Sequence, residues 1–121
     1  MTKSASTEIV RIDQNARRSR ASVFGDIVFL AGQVADDKSG DIGAQTREAL
    51  AKVDDMLARA GTDKSRLLSV QIWLKSMADF DAMNAVYDAW VVPGQAPTRS
   101  CGKVEMAHPD YLIEVIAVAA R

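Results

Sequence analysis

Three residues near the end of the chain combine a cation, a thiol and a carboxylate. Arg99 and Cys101 lie two positions apart, so in a strand their side chains share one face. Glu114 lies in the apolar run 111–120, and we predict that its carboxylate is buried because neither face of that strand is polar. A buried carboxylate needs a cation or hydrogen-bond donors beside it, or else it becomes protonated. Arg99 is the natural cation to pair with Glu114.

Two interpretations of this group stay open from the residues alone. Arg99 and Glu114 can form a site that binds and converts an anionic substrate, or they can form a purely structural ion pair. Cys101 can be a reactive thiol, or a small hydrophobic residue that fills space beside a strand.

The composition is that of an ordinary globular domain. The chain has 121 residues, 48% of them apolar and 26% charged, with a net charge of −1. These values predict a single domain over residues 1–121 and show no bias toward nucleic acid. The single Cys excludes an intrachain disulfide, and the single His leaves no Cys/His cluster for zinc.

The start of the chain is polar, and no apolar run is long enough to cross a bilayer. We therefore expect no signal peptide and no membrane span, and a cytoplasmic location is the simplest expectation. Residues 1–6 are small and polar, and we predict that they are disordered.

Strands are predicted at residues 8–12, 21–24, 27–31 and 67–74, with two more after Pro97 that end in the run 111–120. The element order is β-β-β-α-β-α-β-β. The turn signal Gly25-Asp26 joins the second and third strands as a hairpin.

Two helices are indicated by apolar residues at spacings of three and four. The first carries the stripe Thr46, Ala49, Leu50, Val53, Met56, Leu57 and Ala60, and Gly61 is placed to end it in a left-handed conformation. The second begins at Ser76 and buries Phe80, Met83, Val86, Tyr87 and Trp90.

The strands at 27–31 and 111–120 are apolar on both faces. Two helices can cover only one face of a sheet, and a sheet with one wet face should alternate polar and apolar residues. Another copy of the chain is the simplest cover for the second face, so we predict an obligate homo-oligomer.

Five segments together resemble the YjgF/RidA (reactive intermediate deaminase) family over essentially the whole chain. They are VFLAGQ at 28–33, QTREAL at 45–50, MADFDAMNAVY at 77–87, APTRSC at 96–101 and IEVIA at 113–117. Each segment alone is weak, but their order and spacing together identify the family.

The resemblance implies a fold and an activity. The fold is α+β: a six-stranded mixed sheet with two helices on one face, similar to the small chorismate mutase fold. Three copies form a trimer around a central barrel, with sites in the clefts between subunits. The implied activity is hydrolysis of reactive 2-imino or enamine acids, released by pyridoxal-phosphate enzymes, to 2-keto acids and ammonia, without a metal or another cofactor.

By the same resemblance, Arg99 binds the substrate carboxylate, Glu114 positions or activates water, and Cys101 is the site cysteine. Gly32 lines the pocket through its backbone, and Asn84 comes from the wall of the neighbouring subunit. The residue types suit this chemistry, since arginine offers a planar fork to a carboxylate and a carboxylate in an apolar cleft can move protons near neutral pH.

One position departs from the family pattern. Active deaminases carry a tyrosine where this chain has Arg18, and Arg20 replaces a common glutamine. That tyrosine closes and shapes the pocket, so the usual activity on small imines does not follow for this chain. Arg18 either recruits a second anionic group of the substrate or points to solvent.

Imine hydrolysis is the favoured function. The alternative from another class is a non-catalytic trimer that binds small carboxylates or acts as a chaperone-like stress protein. An endoribonuclease is less favoured, because the basic residues Arg17, Arg18 and Arg20 have no aromatic residues between them and the chain is slightly acidic.

Overall fold

All six strands belong to one mixed sheet in the computed structural model, which describes residues 7–121. The strands are β1 (Ile9–Ile12), β2 (Ala21–Phe24), β3 (Ile27–Leu30), β4 (Leu67–Leu74), β5 (Thr98–Lys103) and β6 (Ile113–Ala120). Their order across the sheet is β1-β2-β3-β6-β4-β5, in which β4 and β5 are parallel and the other neighbours are antiparallel. The predicted fold and element order are confirmed, and the prediction for residues 1–6 lies outside the described residues.

Helix α1 (Ile42–Arg59) begins and ends at recognisable signals. The carboxylate of Asp41 accepts a hydrogen bond from the backbone N–H of Ala44 at 2.9 Å, which satisfies one of the free donors of the first turn. Gly61 has φ +84°, the left-handed conformation predicted for the end of this helix.

The second helix begins later than the sequence predicts. Ser76 caps a short 3-10 turn at Met77–Asp79, and α2 runs over Phe80–Trp90. The serine signal was placed correctly, but the first turn that it caps is wound more tightly than an α-helix.

One face of the sheet packs against both helices and forms the core. Along β6 buried and partly exposed side chains alternate strictly. The fully buried ones, on the side of the helices, are Ile113, Val115, Ala117 and Ala119. The core positions of α1 are those of the predicted stripe, at Ala49, Leu50, Val53, Met56 and Leu57.

The other face of the sheet carries apolar side chains that neither helix covers. Phe24 and Phe29 are each 49% exposed, and Phe29 pairs with Val118 across β3 and β6. We call this surface the open face; Trp73 and Ile116 also lie on it, both half-buried. The prediction that the helices leave an apolar face uncovered is therefore confirmed, and its cover by another copy stays a prediction.

We expect the protein to associate at micromolar concentration, because burial of apolar area at about 25 cal/mol per Å² favours covering the open face. The family resemblance implies that this assembly is a trimer. Phe29→Lys should dissociate or aggregate this assembly, whereas Met77→Lys, at a similarly exposed apolar residue before α2, should not. Sedimentation velocity measures both. A stable, folded wild-type monomer would contradict the expectation.

Candidate functional site

The Arg99 guanidinium is held against α2 on the helix-covered face of the sheet. Arg99 pairs with Val70 in the register of β5 and β4, and its Nη1 donates a 2.7 Å hydrogen bond to Oδ1 of Asn84. Its guanidinium lies 4.7 Å from the ring centre of Tyr87 and 5.9 Å from that of Phe80. Contact with these two rings orients the plane of the Arg99 guanidinium. Because its hydrogen-bond partner is a neutral amide, the positive charge of Arg99 remains available to bind an anion.

Three α2 residues that contact Arg99 stand at positions i, i+4 and i+7 of the helix. Sequence reasoning placed Phe80 and Tyr87 only in the buried stripe, and expected Asn84 to come from a neighbouring subunit. In the structure all three contact Arg99 of their own chain. The spacing was a usable signal, since it places these residues on one helical face.

Cys101 lies beside Arg99 on the same face of β5 and packs at the margin of the core. Burial raises the pKa of its thiol, and the nearby positive charge of Arg99 only partly opposes this. A thiol with a raised pKa is largely protonated at neutral pH, so Cys101 is not an activated nucleophile in the single chain.

The ion pair predicted between Arg99 and Glu114 does not form within the chain. Glu114 pairs with Trp73 on the open face, whereas Arg99 pairs with Val70 on the helix-covered face. Strand β4 also separates β5 from β6. The prediction was wrong because alternation fixes which residues of one strand share a face, but not which strands are neighbours.

The Glu114 carboxylate lies directly against the backbone of Gly32. A Cβ atom at Gly32 would overlap Oε2 of Glu114, so the carboxylate occupies the space that any side chain here would need. Burial was predicted for Glu114, and the structure shows it half-buried. This burial raises the pKa of Glu114, and within the described part of the chain no hydrogen bond or ion pair offsets the shift.

Gly32 also lines a cleft of about 390 Å³, which we call the Gly32 cleft. Its walls come from the β1–β2 connection, the segment after β3 and one residue of α1; they are Asp13, Arg18, Arg20, Ala31, Gly32, Gln33, Val34, Asp36 and Lys52. Of the predicted site residues, Gly32 and Arg18 line this cleft, and Glu114 contacts Gly32 without lining the cleft itself.

Gln33 and Lys52 are among the polar residues of this cleft that the sequence did not predict. Gln33 is buried; it donates to the carbonyl of Ala31 at 2.8 Å and accepts from Arg20 at 3.3 Å. Lys52 donates to the carbonyl of Val34 at 2.9 Å and to Asp36 at 2.7 Å. No local signal marks Lys52, because a lysine on an amphipathic helix is typical of a solvated surface.

The predicted site residues thus form two groups in one chain. Arg99, Asn84 and Cys101, which we call the Arg99 group, lie on the helix-covered side of the sheet at edge strand β5. Gly32 and Arg18 line the Gly32 cleft, and Glu114 contacts Gly32 from β6, on the other side of β4. Each group offers part of the chemistry: the first holds a cation that can bind an anion, and the second holds a carboxylate against Gly32, which also lines a polar cleft.

Two negative findings concern residues 7–121 only. They contain no group of three or more His, Cys, Asp or Glu side chains arranged to hold a metal ion. They also contain no helix of the length and apolarity that a membrane span requires.

Comparison with known proteins gives one consistent result. The protein-family model described as Endoribonuclease L-PSP matches residues 8–121. A RutC family protein of Haemophilus ducreyi is 39% identical over 112 residues, covering 93% of this chain and 96% of its own. A protein of Acinetobacter baylyi named 3-aminoacrylate deaminase RutC is 35% identical over 105 residues, covering 82% of each chain.

Solved structures agree with these sequence relatives. A Pseudomonas aeruginosa protein described as uncharacterized superposes with a TM-score of 0.92 at 42% identity, covering 94% of this chain and 99% of its own. A member of the YjgF protein family from Neisseria meningitidis gives a TM-score of 0.91 at 34% identity, covering 95% and 96%. The matched family model, the sequence relatives and the fold together show that this chain belongs to the YjgF/RidA/RutC family.

Proposed function

We propose that this protein hydrolyses reactive 2-imino acids, and the enamines that equilibrate with them, to 2-keto acids and ammonia. In the reaction, water adds to the protonated C=N carbon and the resulting tetrahedral adduct expels ammonia. Atoms and charge balance as R–C(=NH₂⁺)–COO⁻ + H₂O → R–CO–COO⁻ + NH₄⁺. An iminium carbon is already electrophilic, so the protein has to bind the carboxylate, position the water and move protons.

The observation that carries the proposal is the Glu114 carboxylate resting on Gly32. It is half-buried, its pKa is raised by burial, and the missing side chain at Gly32 leaves the space that this carboxylate occupies. A carboxylate with a raised pKa takes a proton from the attacking water and then delivers it to the leaving nitrogen more readily than a fully solvated one.

Arg99 supplies the second requirement. Its guanidinium is fixed by Asn84 and by the rings of Tyr87 and Phe80. A planar fork held in this way can bind a substrate carboxylate through two parallel hydrogen bonds. Cys101 then shapes the pocket as a protonated thiol beside Arg99 rather than attacking the substrate.

The two groups act on one substrate if neighbouring copies form the site together. Within one chain they lie on opposite sides of the sheet, so a single chain cannot bring both to one small molecule. The open face offers the contact surface for further copies, and the trimer that the family resemblance implies places sites between subunits. We therefore assign Arg99 to one subunit and Glu114 to its neighbour in each site.

The name of the Acinetobacter baylyi relative supports this class of reaction, since 3-aminoacrylate is an enamine acid and its hydrolysis also replaces a C=N nitrogen by oxygen, at carbon 3 instead of carbon 2. RNA cleavage, which the description of the family model names, receives less support here. The residues that line the Gly32 cleft include no aromatic ring on which a base could stack.

One alternative function has its own observation. The Arg99 group is preorganised within the chain, independently of Glu114, and is sufficient for binding a small carboxylate without converting it. A non-catalytic carboxylate-binding trimer would use Arg99 in this way.

A coupled assay separates the two functions. An amino-acid oxidase generates 2-iminobutanoate in situ, semicarbazide traps the imine that remains, and release of 2-oxobutanoate is followed with and without the protein. We expect the protein to accelerate hydrolysis and to reduce semicarbazone formation. Binding of 2-oxobutanoate with no acceleration across small, bulky and acidic imines would instead support the binding protein.

A further inference from the structure

We propose that the Gly32 cleft recognises a second carboxylate, so that the preferred substrates are 2-imino dicarboxylates, the imines of acidic amino acids. This inference rests on the proposed function and names its substrate class. It follows from the charges of the cleft, from the way in which the chain holds Arg18, and from Gly32, which both lines the cleft and contacts Glu114.

The charges that line the cleft do not cancel. Arg20 forms an ion pair with Asp13 at 3.5 Å, and Lys52 forms one with Asp36 at 2.7 Å. These pairs use both carboxylates of the lining, so Arg18 is the cation that no lining carboxylate neutralises. A cleft with one uncompensated guanidinium attracts an anionic group in preference to a neutral one.

The loop that carries Arg18 is tied to the rest of the chain. Oδ1 of Asn15 accepts hydrogen bonds from the backbone N–H groups of Arg17 and Arg18, each at 2.8 Å, and the Asn15 N–H donates to the carbonyl of Arg18 at 2.8 Å. Asp13 adopts φ +54°, and its carboxylate pairs with Arg20. The Arg18 backbone is therefore fixed at the rim of the cleft, although its side chain is exposed.

Gly32 lies between Arg18 and the proposed catalytic carboxylate of Glu114. Gly32 lines the cleft together with Arg18, and the Glu114 carboxylate rests on Gly32. A 2-imino dicarboxylate has three charged points that match: the α-carboxylate for Arg99 of the neighbouring copy, the iminium for Glu114, and the distal carboxylate for Arg18. An imine with an apolar side chain has no group that can pair with Arg18, so the charge of Arg18 does not increase its binding affinity.

The first test compares two substrates and three variants. Iminosuccinate, generated by an aspartate oxidase, and 2-iminobutanoate are offered to the wild type, Arg18→Gln, Arg18→Tyr and Arg17→Gln. We expect Arg18→Gln to lower kcat/KM for iminosuccinate about 10- to 100-fold, which is the range for one lost charge-assisted interaction. The same variant should change kcat/KM for 2-iminobutanoate by less than about 3-fold. Arg18→Tyr should shift preference toward 2-iminobutanoate, and Arg17→Gln, from the same loop but outside the cleft lining, should change neither.

The second test does not depend on turnover. Calorimetry measures binding of the stable keto acids 2-oxoglutarate and 2-oxobutanoate to the same variants at low and high salt. We expect the wild type to prefer 2-oxoglutarate, with a preference that shrinks in high salt and disappears in Arg18→Gln.

The outcomes distinguish this inference from the proposed function. Hydrolysis of 2-iminobutanoate with no Arg18-dependent preference in either test would overturn the inference and leave the deaminase intact. Arg18-dependent binding of 2-oxoglutarate without hydrolysis of any imine would sustain the dicarboxylate site and overturn the deaminase. Equal loss of affinity for both keto acids in Arg18→Gln would mean that Arg18 only maintains the loop, and would also overturn the inference.

Discussion

Glu114→Gln is expected to lower the turnover of 2-imino acids by about 100-fold or more, with ligand affinity almost unchanged. Glutamine keeps the shape and a hydrogen-bonding carbonyl, but it cannot take a proton from water or deliver one to the leaving nitrogen. Coupled keto-acid release measures kcat and KM for the variant, and calorimetry with 2-oxobutanoate measures binding. Glu105→Gln, at an exposed carboxylate in the loop before β6, is the matched control.

The pH dependence of activity should report the same carboxylate. Burial raises the pKa of Glu114 above its ordinary value of 4.5. Since the carboxylate form accepts the proton of water, kcat/KM should fall as the pH drops through this raised pKa. Glu114→Gln should abolish this acidic limb.

The stability of the same variant tests the structural interpretation. A carboxyl group whose pKa is raised by folding stabilises the fold at low pH, and this contribution is lost as the pH rises through the raised pKa. Replacing Glu114 by a neutral amide should therefore leave the melting temperature at pH 7 unchanged or higher. A large fall in melting temperature together with full activity per folded molecule would show that Glu114 is a structural charge.

Gly32→Ala provides an independent test of the same contact. The added methyl group would meet Oε2 of Glu114, so the carboxylate must move away from its place against residue 32. Turnover should fall although Glu114 is still present, and the acidic limb of the pH profile should shift. Full activity in Gly32→Ala would contradict the role assigned to this carboxylate.

Most of the fold was accessible from the sequence because its signals are local. The two apolar stripes, Gly61 and the Gly25-Asp26 turn each act over a few residues, and each was found where predicted. The uncovered apolar face could be predicted too, since polar and apolar residues do not alternate along β3 and β6 and only two helices are available to cover the sheet. The boundary error at Ser76 arose because a 3-10 turn and the first turn of an α-helix share the same capping residue.

The site was only partly accessible, because its geometry depends on strand order. Proximity in the sequence suggested that Arg99 and Glu114 meet, but β4 is inserted between their strands and the two side chains point to opposite faces. The contact between Gly32 and Glu114 joins residues far apart in the chain, and no periodicity predicts it. The resemblance to a family supplied these positions, whereas the sequence pattern alone supplied only the residue types.

Arg99→Lys is expected to reduce kcat/KM for 2-imino acids about 10- to 100-fold while the fold survives, since a lost charge-assisted hydrogen bond costs about 1.5–3 kcal/mol. Lysine keeps the positive charge but loses the two-pronged fork and the planar stacking on Tyr87 and Phe80. Affinity for 2-oxobutanoate should fall with it. Arg66→Lys, at an exposed arginine before β4, is the matched control, and unchanged keto-acid affinity in Arg99→Lys would make Arg99 a structural residue.

Mixing the two impaired variants tests whether each site takes Arg99 from one subunit and Glu114 from another. The Arg99→Lys and Glu114→Gln proteins are unfolded together in equal amounts and refolded, so that subunits assort at random. In a cyclic trimer with shared sites, about a quarter of the sites then contain both native residues, and activity should recover to about that fraction of the wild type. Sites built within one chain would always lack one of the two residues, so an absence of recovery would contradict the shared site. The opposite faces on which the two side chains lie favour recovery.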